Sequence, residues 1–361
     1  MPITAADSIT LALEHTKQQL FRPLRIAQWT KLAFVGLLAG ELGSNGCNRS
    51  NFNLPGHAGT TPHPGVPGSG FPGSLGIDPA LLAALSALLG AVIIGGLAIG
   101  IILMYVGSVM RFVLFDSIIT KECHIRWSWS RRLGPGWRYF VWKLGYFLLA
   151  LAGIAVLVGI PVALAFAKGW FKEPKEHLPA LVSGGIILFL VFLIFLVVTA
   201  VILVLTKDFV VPQMALEDIG AVEGWRRLWP LMQADTGAYA GYVGMKIVLA
   251  IVASIAIGVA TLILGLFFVV PSVVFGILAV LTGKTAGLTW NAHTIALAVF
   301  IGCILLATFL YLVSLISVPA IVFFPAYSMY FFAARYPRLS AALYPATPAA
   351  QIPAGATPRS L

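Results

Sequence analysis

The sequence has little charge and almost no cysteine. Asp, Glu, Lys and Arg make up 10% of its 361 residues, against about 25% in soluble proteins. Apolar residues make up 59%, which is more than a soluble globule of this length can bury. Three cysteines are too few for a disulfide scaffold. This composition excludes a disordered chain and a disulfide-rich secreted protein, and it predicts an all-α polytopic membrane protein.

Charge is also missing within the apolar runs except the first, which is interrupted by Lys31 and closed by Glu41. The first run is at the lower limit of length for crossing a hydrocarbon core of ~30 Å, and the others are long enough. We predict six transmembrane helices, at residues 26–42, 81–109, 144–167, 181–206, 247–270 and 294–318. The last five contain no Asp, Glu, Lys or Arg, which argues against a proton-coupled pump. Pro271 is expected to kink or end the fifth span. The apolar segment that follows Pro319 is expected to lie at the membrane interface.

The basic residues indicate how the chain is oriented. With six spans, 18 of the 23 Lys and Arg residues fall on the side that carries both termini. Because basic residues accumulate on the cytoplasmic side, we predict a bacterial cytoplasmic (inner) membrane protein with both termini cytoplasmic. Residues 1–344 form one membrane domain that includes a flexible Gly/Pro-rich loop at 43–79, and residues 345–361 form a disordered Pro-rich tail.

The segments on the basic side repeat a weak pattern. Each even-numbered span exits through an apolar–aromatic strip, at residues 111–116, 208–213 and 321–326. Each odd-numbered span is entered through a polar stretch with basic and aromatic residues. In residues 217–232, apolar residues recur every three or four positions, which predicts an amphipathic helix. We therefore expect three weakly repeated hairpins with cytoplasmic amphipathic interface helices.

The segment Asp208–Arg227 contains an exit strip, a proline, acidic residues and a helix pattern in that order. In this it resembles a broad group of uncharacterised bacterial membrane proteins, which are similar to the membrane domain fused to some glycerophosphodiester phosphodiesterases. The resemblance covers about residues 5–344 and implies a six-span membrane module. It implies no phosphodiesterase activity, because that family's catalytic barrel is a separate domain and no segment here alternates strands and helices.

Arginine and tryptophan are interleaved on the predicted cytoplasmic side. Trp favours the headgroup level of a bilayer, and basic residues there attract anionic lipid. The pattern is typical of a lipid-headgroup site and also of ordinary interfacial anchoring. The candidate headgroup contacts are Arg126, Trp127, Trp129, Arg131, Arg132, Trp137, Arg138, Trp225, Arg226 and Arg227.

Four carboxylates in the third basic segment, Asp208, Glu217, Asp218 and Glu223, could form a metal or acid–base site. The alternative is that they are helix-start charges and salt-bridge partners of Arg226 or Arg227. His57 and His63 could bind a metal weakly. A lipid enzyme would require a cluster around one cleft, for which the available residues are His15, Asp116, Glu122 and His124.

We find no nucleophile–base set and no phosphate-binding loop. We therefore predict a non-enzymatic membrane protein with no cofactor, no metal and no nucleic-acid partner. Its basic–aromatic segments would engage membrane lipids, anionic ones in particular, or a partner protein. The alternative is a carrier or flippase-like transporter of an apolar or lipidic substrate. A lined cavity at mid-depth would favour a carrier, and a tightly packed centre would not.

Overall fold

The computed structural model describes residues 4–22, 25–41, 79–170, 177–285 and 291–344. In these residues the chain forms helices and no strand, and a π-helix at Thr206–Val210 joins α5 to α6. The α-helices are α1 Asp7–Phe21, α2 Ile26–Leu38, α3 Pro79–Thr120, α4 Ile125–Ala167, α5 Leu178–Leu205, α6 Val211–Glu217, α7 Ala221–Ala234, α8 Thr236–Thr285, α9 Ala292–Ile316, α10 Val318–Ala333 and α11 Pro337–Leu343.

Five helical segments are long and apolar enough to cross a membrane, as the sequence predicted for spans two to six. In the most apolar window of each, no residue is buried inside the protein. A helix satisfies all of its own backbone hydrogen bonds, so it can face hydrocarbon along its length. These segments are Ser86–Thr120, Ile125–Ala167, Leu178–Glu217, Thr236–Gly283 and His293–Ala333.

The predicted first span, residues 26–42, is not confirmed as a crossing. The helix that forms there, α2, has 13 residues and is therefore only about 20 Å long. It runs antiparallel to the last turns of α3. Gln28 Nε2 donates to the Lys121 carbonyl at 2.8 Å, and Arg111 Nη2 donates to the Ala39 carbonyl at 2.7 Å. Both ends of α2 thus contact the same end of α3, so six spans in three hairpins are not confirmed.

The long helices divide into two regions. Their lipid-facing halves carry exposed apolar side chains, at residues 88–103, 147–166, 178–198, 247–281 and 295–310. The other region, which we call the packed end, contains the buried core. It is formed by α1, α2, α6, α7, α10 and α11 together with the adjoining turns of α3, α4, α5 and α8. Its largest fully buried side chains include Phe112, Phe209, Tyr242, Tyr327, Phe331 and Phe332.

The segment after Pro319 packs inside the protein, and its predicted position at the membrane interface stays a prediction. It forms α10, and most of its residues are buried in the packed end. The reason is that α1 and α8 both pack on it. His15 Nδ1 lies 3.0 Å from the Tyr330 hydroxyl, and the rings of Tyr242 and Tyr327 stack with centroids 5.1 Å apart.

Pro271 does not end the fifth span. Helix α8 continues through it to Thr285, so residues 268–283 belong to the same helix as the span before them. The predicted loop 43–79, except for residue 79, and the predicted tail 345–361 lie outside the described residues.

The predicted amphipathic helix in the third basic segment is α7. Asp218, which adopts a left-handed conformation with φ of 54°, separates it from α6. Aspartate is among the few side chains that tolerate this conformation. In the second basic segment no separate helix forms, because the basic–aromatic residues are the first turns of the long helix α4.

Candidate functional site

Four of the ten candidate headgroup contacts form an exposed basic–aromatic surface on the first turns of α4. We call this surface the α4 face and define it as Arg126, Trp127, Arg131 and Trp137. Trp127 is 56% exposed and Trp137 is 55% exposed. The Arg131 guanidinium lies 5.2 Å from the Trp127 ring centroid. Within the described residues, neither arginine has a carboxylate partner, so both charges are available to an external anion.

Two other candidates on α4, Arg132 and Arg138, form ion pairs within the protein. Arg132 binds both carboxylate oxygens of Asp116, at 2.9 and 2.6 Å, and donates to the Ala215 carbonyl at 2.7 Å. Arg138 donates to the backbone and side chain of Asp218, the latter at 3.2 Å. Since their charges are already paired, these arginines are poor candidates for headgroup contacts. Trp129 is partly buried against the core.

The candidate headgroup contacts on α7 also have hydrogen-bond or ion-pair partners within the protein. Trp225 Nε1 donates to Thr206 Oγ1 at 3.0 Å. Arg227 pairs with Glu217 and Glu223, and Arg226 pairs with Glu223 at 3.2 Å. The predicted salt bridges between these carboxylates and the arginine pair are thereby confirmed for Glu217 and Glu223.

A second cluster, which the sequence did not reveal, lies inside the packed end. The buried charge cluster consists of Glu41, Arg111, Lys207, Asp208 and Lys246. Arg111 Nη1 lies 2.5 Å from Glu41 Oε1, and Lys207 binds the other oxygen of that carboxylate. Lys246 binds Asp208, which also accepts a hydrogen bond from Tyr242 at 2.9 Å. Glu41 is 0% exposed and Asp208 is 2% exposed.

Two adjacent residues of the π-helix, Lys207 and Asp208, contribute opposite charges to this cluster. Lys207 and Asp208 are consecutive, so their side chains leave the helix axis in different directions. Lys207 therefore reaches Glu41 after α2, and Asp208 reaches Lys246 on α8. π-Helical segments are rare and occur frequently at functional sites. We take the cluster as a second candidate site for that reason.

The residues that a lipid enzyme would require contact several different partners. Asp116 is bound by Arg132, and Glu122 lies 3.7 Å from both Arg25 and His124 on the surface. His15 is instead buried against α10 and contacts Tyr330. Burial, together with the nearby charge of Lys121, lowers the pKa of His15 to about 4. The imidazole is therefore neutral at pH 7.

Among the described residues, no group of three His, Cys, Asp or Glu side chains could hold a metal ion. His57 and His63 lie outside the described residues.

A cleft of about 940 Å³ lies between the lipid-facing halves of α8 and α9. Its walls are almost entirely apolar and include Phe267, Phe275, Gly276, Leu297 and Ile301. Ser272, one of its few polar side chains, donates to the Phe268 carbonyl at 2.7 Å within its own helix. The cleft thus offers a surface for hydrocarbon and little for a polar ligand.

The five long apolar segments and their common packed end give this chain the architecture of a multi-pass helical membrane protein. More particularly, the chain belongs to DUF7544, a family of unknown function, whose model matches residues 3–342. No curated protein and no solved structure matches the chain.

Proposed function

We propose that this protein is a non-enzymatic component of a bacterial cytoplasmic membrane and that it engages anionic lipid headgroups through the α4 face. The observation that carries the proposal is that Arg126 and Arg131 have no carboxylate partner among the described residues, while the Arg131 guanidinium lies over the ring of the exposed Trp127. The resemblance to membrane domains fused to phosphodiesterases stays a prediction, since the family description does not address it.

The position of the α4 face along its helix supports this proposal. The lipid-facing half of α4 begins near Phe147, ten residues after Trp137 and therefore about 15 Å along the axis. Trp137 is therefore the member of the α4 face nearest to the lipid-facing half, and tryptophan rings are enriched at the membrane interface. A basic residue at an anionic surface contributes about 1 kcal/mol to binding, so the two arginines together can select anionic over zwitterionic lipid.

The orientation proposed here has the packed end in the cytoplasm together with both termini. In its support, α1 packs directly on α10, as the contact between His15 and Tyr330 illustrates. The two described ends of the chain therefore belong to the same end of the molecule. The exposed arginines of α4 lie there as well, in agreement with the tendency of basic residues to stay on the cytoplasmic side.

Lipid selectivity in reconstituted bilayers tests the α4 face. The full chain is placed in vesicles that contain phosphatidylcholine and brominated phosphatidylglycerol, and tryptophan quenching reports which lipid contacts the protein. We expect the double variant Arg126→Gln/Arg131→Gln to lose about 1 kcal/mol of anionic preference per charge, or roughly fivefold each. All tryptophans remain in this variant, so the signal is directly comparable.

The matched control is Lys168→Gln at the opposite end of α4. The Lys168 ammonium lies 5.5 Å from the Trp170 ring centroid, so it has the same chemistry outside the α4 face. It should leave the preference unchanged. Equal quenching by brominated phosphatidylglycerol in the wild type and the double variant would contradict the proposal and would favour a partner protein for this surface.

The cleft between α8 and α9 supports the alternative proposal, a carrier of an apolar or lipidic substrate. Its volume of about 940 Å³ lies within the range of ligand pockets, and its apolar walls suit an acyl chain. Movement of fluorescent phospholipids between the leaflets of proteoliposomes tests this alternative. A carrier should accelerate it, and Gly276→Phe, which fills the cleft, should abolish the acceleration while Gly258→Phe outside the cleft does not. A rate equal to that of protein-free vesicles would refute it.

A further inference from the structure

The buried charge cluster contains more positive than negative charge. Arg111, Lys207 and Lys246 share two carboxylates, Glu41 and Asp208. The members belong to one group, because Lys207, which binds Glu41, and Asp208, which binds Lys246, are consecutive residues of the π-helix. Three cations against two carboxylates leave an excess of one positive charge in a largely buried location.

Lys143 raises this excess to two. It lies on α4, partly buried, one turn after Tyr139, whose ring centroid lies 6.0 Å from that of Phe112, the residue that follows Arg111. Within the described residues it forms no hydrogen bond or ion pair. An unpaired ammonium that is partly withdrawn from water beside another cation is unfavourable unless an anion compensates it.

The cluster remains accessible at the level where lipid begins. The side chains of Arg111, Lys207 and Lys246 keep 10%, 12% and 13% of their surface exposed. Lys246 directly precedes the exposed Ile247 on α8, and Lys143 precedes the exposed Phe147 by one turn on α4. The cations therefore lie at the boundary between the packed end and the lipid-facing halves, where phospholipid phosphates are found.

Phosphate is the anion whose chemistry suits this set. Arginine presents a planar fork that matches phosphate oxygens, and lysine supplies a compact charge without a fixed direction. We propose that Arg111, Lys143, Lys207 and Lys246 form a binding site for a phosphate group between α3, α4, the π-helix and α8, supplied by a phospholipid headgroup or by free phosphate. This site is separate from the α4 face and does not depend on it.

Lys143→Met tests the site with little risk to the fold, since no ion pair is lost. Relief of its repulsion with Arg111 should make the ligand-free protein more stable than the wild type. Its affinity for the anion should nevertheless fall about fivefold, as expected for the loss of one basic residue. A purely structural role would not produce this combination of higher stability and weaker binding. The control is Lys168→Met, at the other end of the same helix, which should change neither quantity.

The measurement is the rise in melting temperature of the full chain in neutral detergent as a probe is titrated. The probes are dihexanoyl phosphatidylglycerol, dihexanoyl phosphatidylcholine and inorganic phosphate. A response to phosphatidylglycerol alone identifies a lipid headgroup as the source, and a response to inorganic phosphate as well identifies phosphate itself. No response to any probe, or equal responses in the wild type and Lys143→Met, overturns the proposal.

The Arg126→Gln/Arg131→Gln variant separates this site from the proposed function. If that variant binds the probe as the wild type does, the proposed phosphate site in the interior is supported, whether or not the α4 face binds lipid. If it alone abolishes binding, the anion occupies the α4 face and the interior site is refuted.

Discussion

The packed end and the lipid-facing halves belong to the same helices but have opposite surroundings. On α3, Ile94 and Leu97 are 71% and 65% exposed, whereas Phe112 and Ile118 a few turns later are fully buried. Side chains of the same apolar type are thus solvated by lipid in one region and by protein in the other. The comparison shows that the helices are held together chiefly at one end, and that lipid completes the structure elsewhere.

Charge follows the same division. The predicted spans after the first contain no ionisable acidic or basic residue, while the packed end buries Glu41, Arg111, Asp116 and Asp208. Buried charges require partners, and each of these four has one in the packed end. We therefore expect substitutions in the packed end to affect stability far more than comparable ones elsewhere.

The largest effect is expected at Glu41. Glu41→Gln preserves the shape of the side chain but removes the charge that Arg111 and Lys207 share. Removal of one partner from a buried ion pair costs about 3–5 kcal/mol, because the other charge stays buried without compensation. Unfolding of the full chain by sodium dodecyl sulfate in mixed micelles measures the change in free energy.

Glu122→Gln is the control for Glu41. Its carboxylate also faces an arginine, at 3.7 Å, but its side chain is 56% exposed. Exposed ion pairs contribute about 0–1 kcal/mol, so this variant should be nearly neutral. Equal losses at the two positions would mean that the burial of Glu41 has no energetic consequence and that the division between the two regions is wrong.

The lipid-facing halves were largely predictable from the sequence. Hydropathy is a local property, and the uncharged runs in α3, α4, α5, α8 and α9 match the predicted spans two to six. The amphipathic helix α7 and the salt bridges of Glu217 and Glu223 with Arg226 and Arg227 also follow from short-range spacing. These features depend on residues that are close along the chain.

The packed end was harder to predict because an apolar helix looks the same whether lipid or protein surrounds it. Both α2 and α10 have apolar sequences, yet each packs against other helices in the core. The pairing of Glu41 with Lys207 joins residues 166 positions apart. One available signal was that charges bounding several spans, among them Arg111, Lys207 and Lys246, fall at the same end.

The sequence named ten candidate headgroup contacts but could not tell which charges were free. Arg131 and Arg132 are neighbours, and only the first is exposed on the α4 face, since the second turns towards Asp116. Two adjacent residues on a helix point about 100° apart. Whether each arginine is exposed or ion-paired depends on whether another helix supplies a carboxylate. No local sequence pattern shows this.

The smallest effect we predict separates the two regions within a single helix, α3. A Cβ atom added at Gly107 would lie 2.6 Å from the Leu38 carbonyl oxygen of α2, whereas nothing lies within 4 Å of one added at Gly95. Gly107→Ala should therefore force α2 away from α3 and cost about 1–3 kcal/mol. Gly95→Ala should be neutral or slightly stabilising, because alanine favours a helix over glycine.

Both substitutions add one methyl group to the same helix, so any difference between them arises from their surroundings. The same unfolding experiment in mixed micelles compares them directly. A loss confined to Gly107→Ala would support close packing of α2 on α3 in the membrane protein. Two equal, small effects would instead indicate that α2 is separated from α3, with lipid between them. In that case α2 would not belong to the packed end.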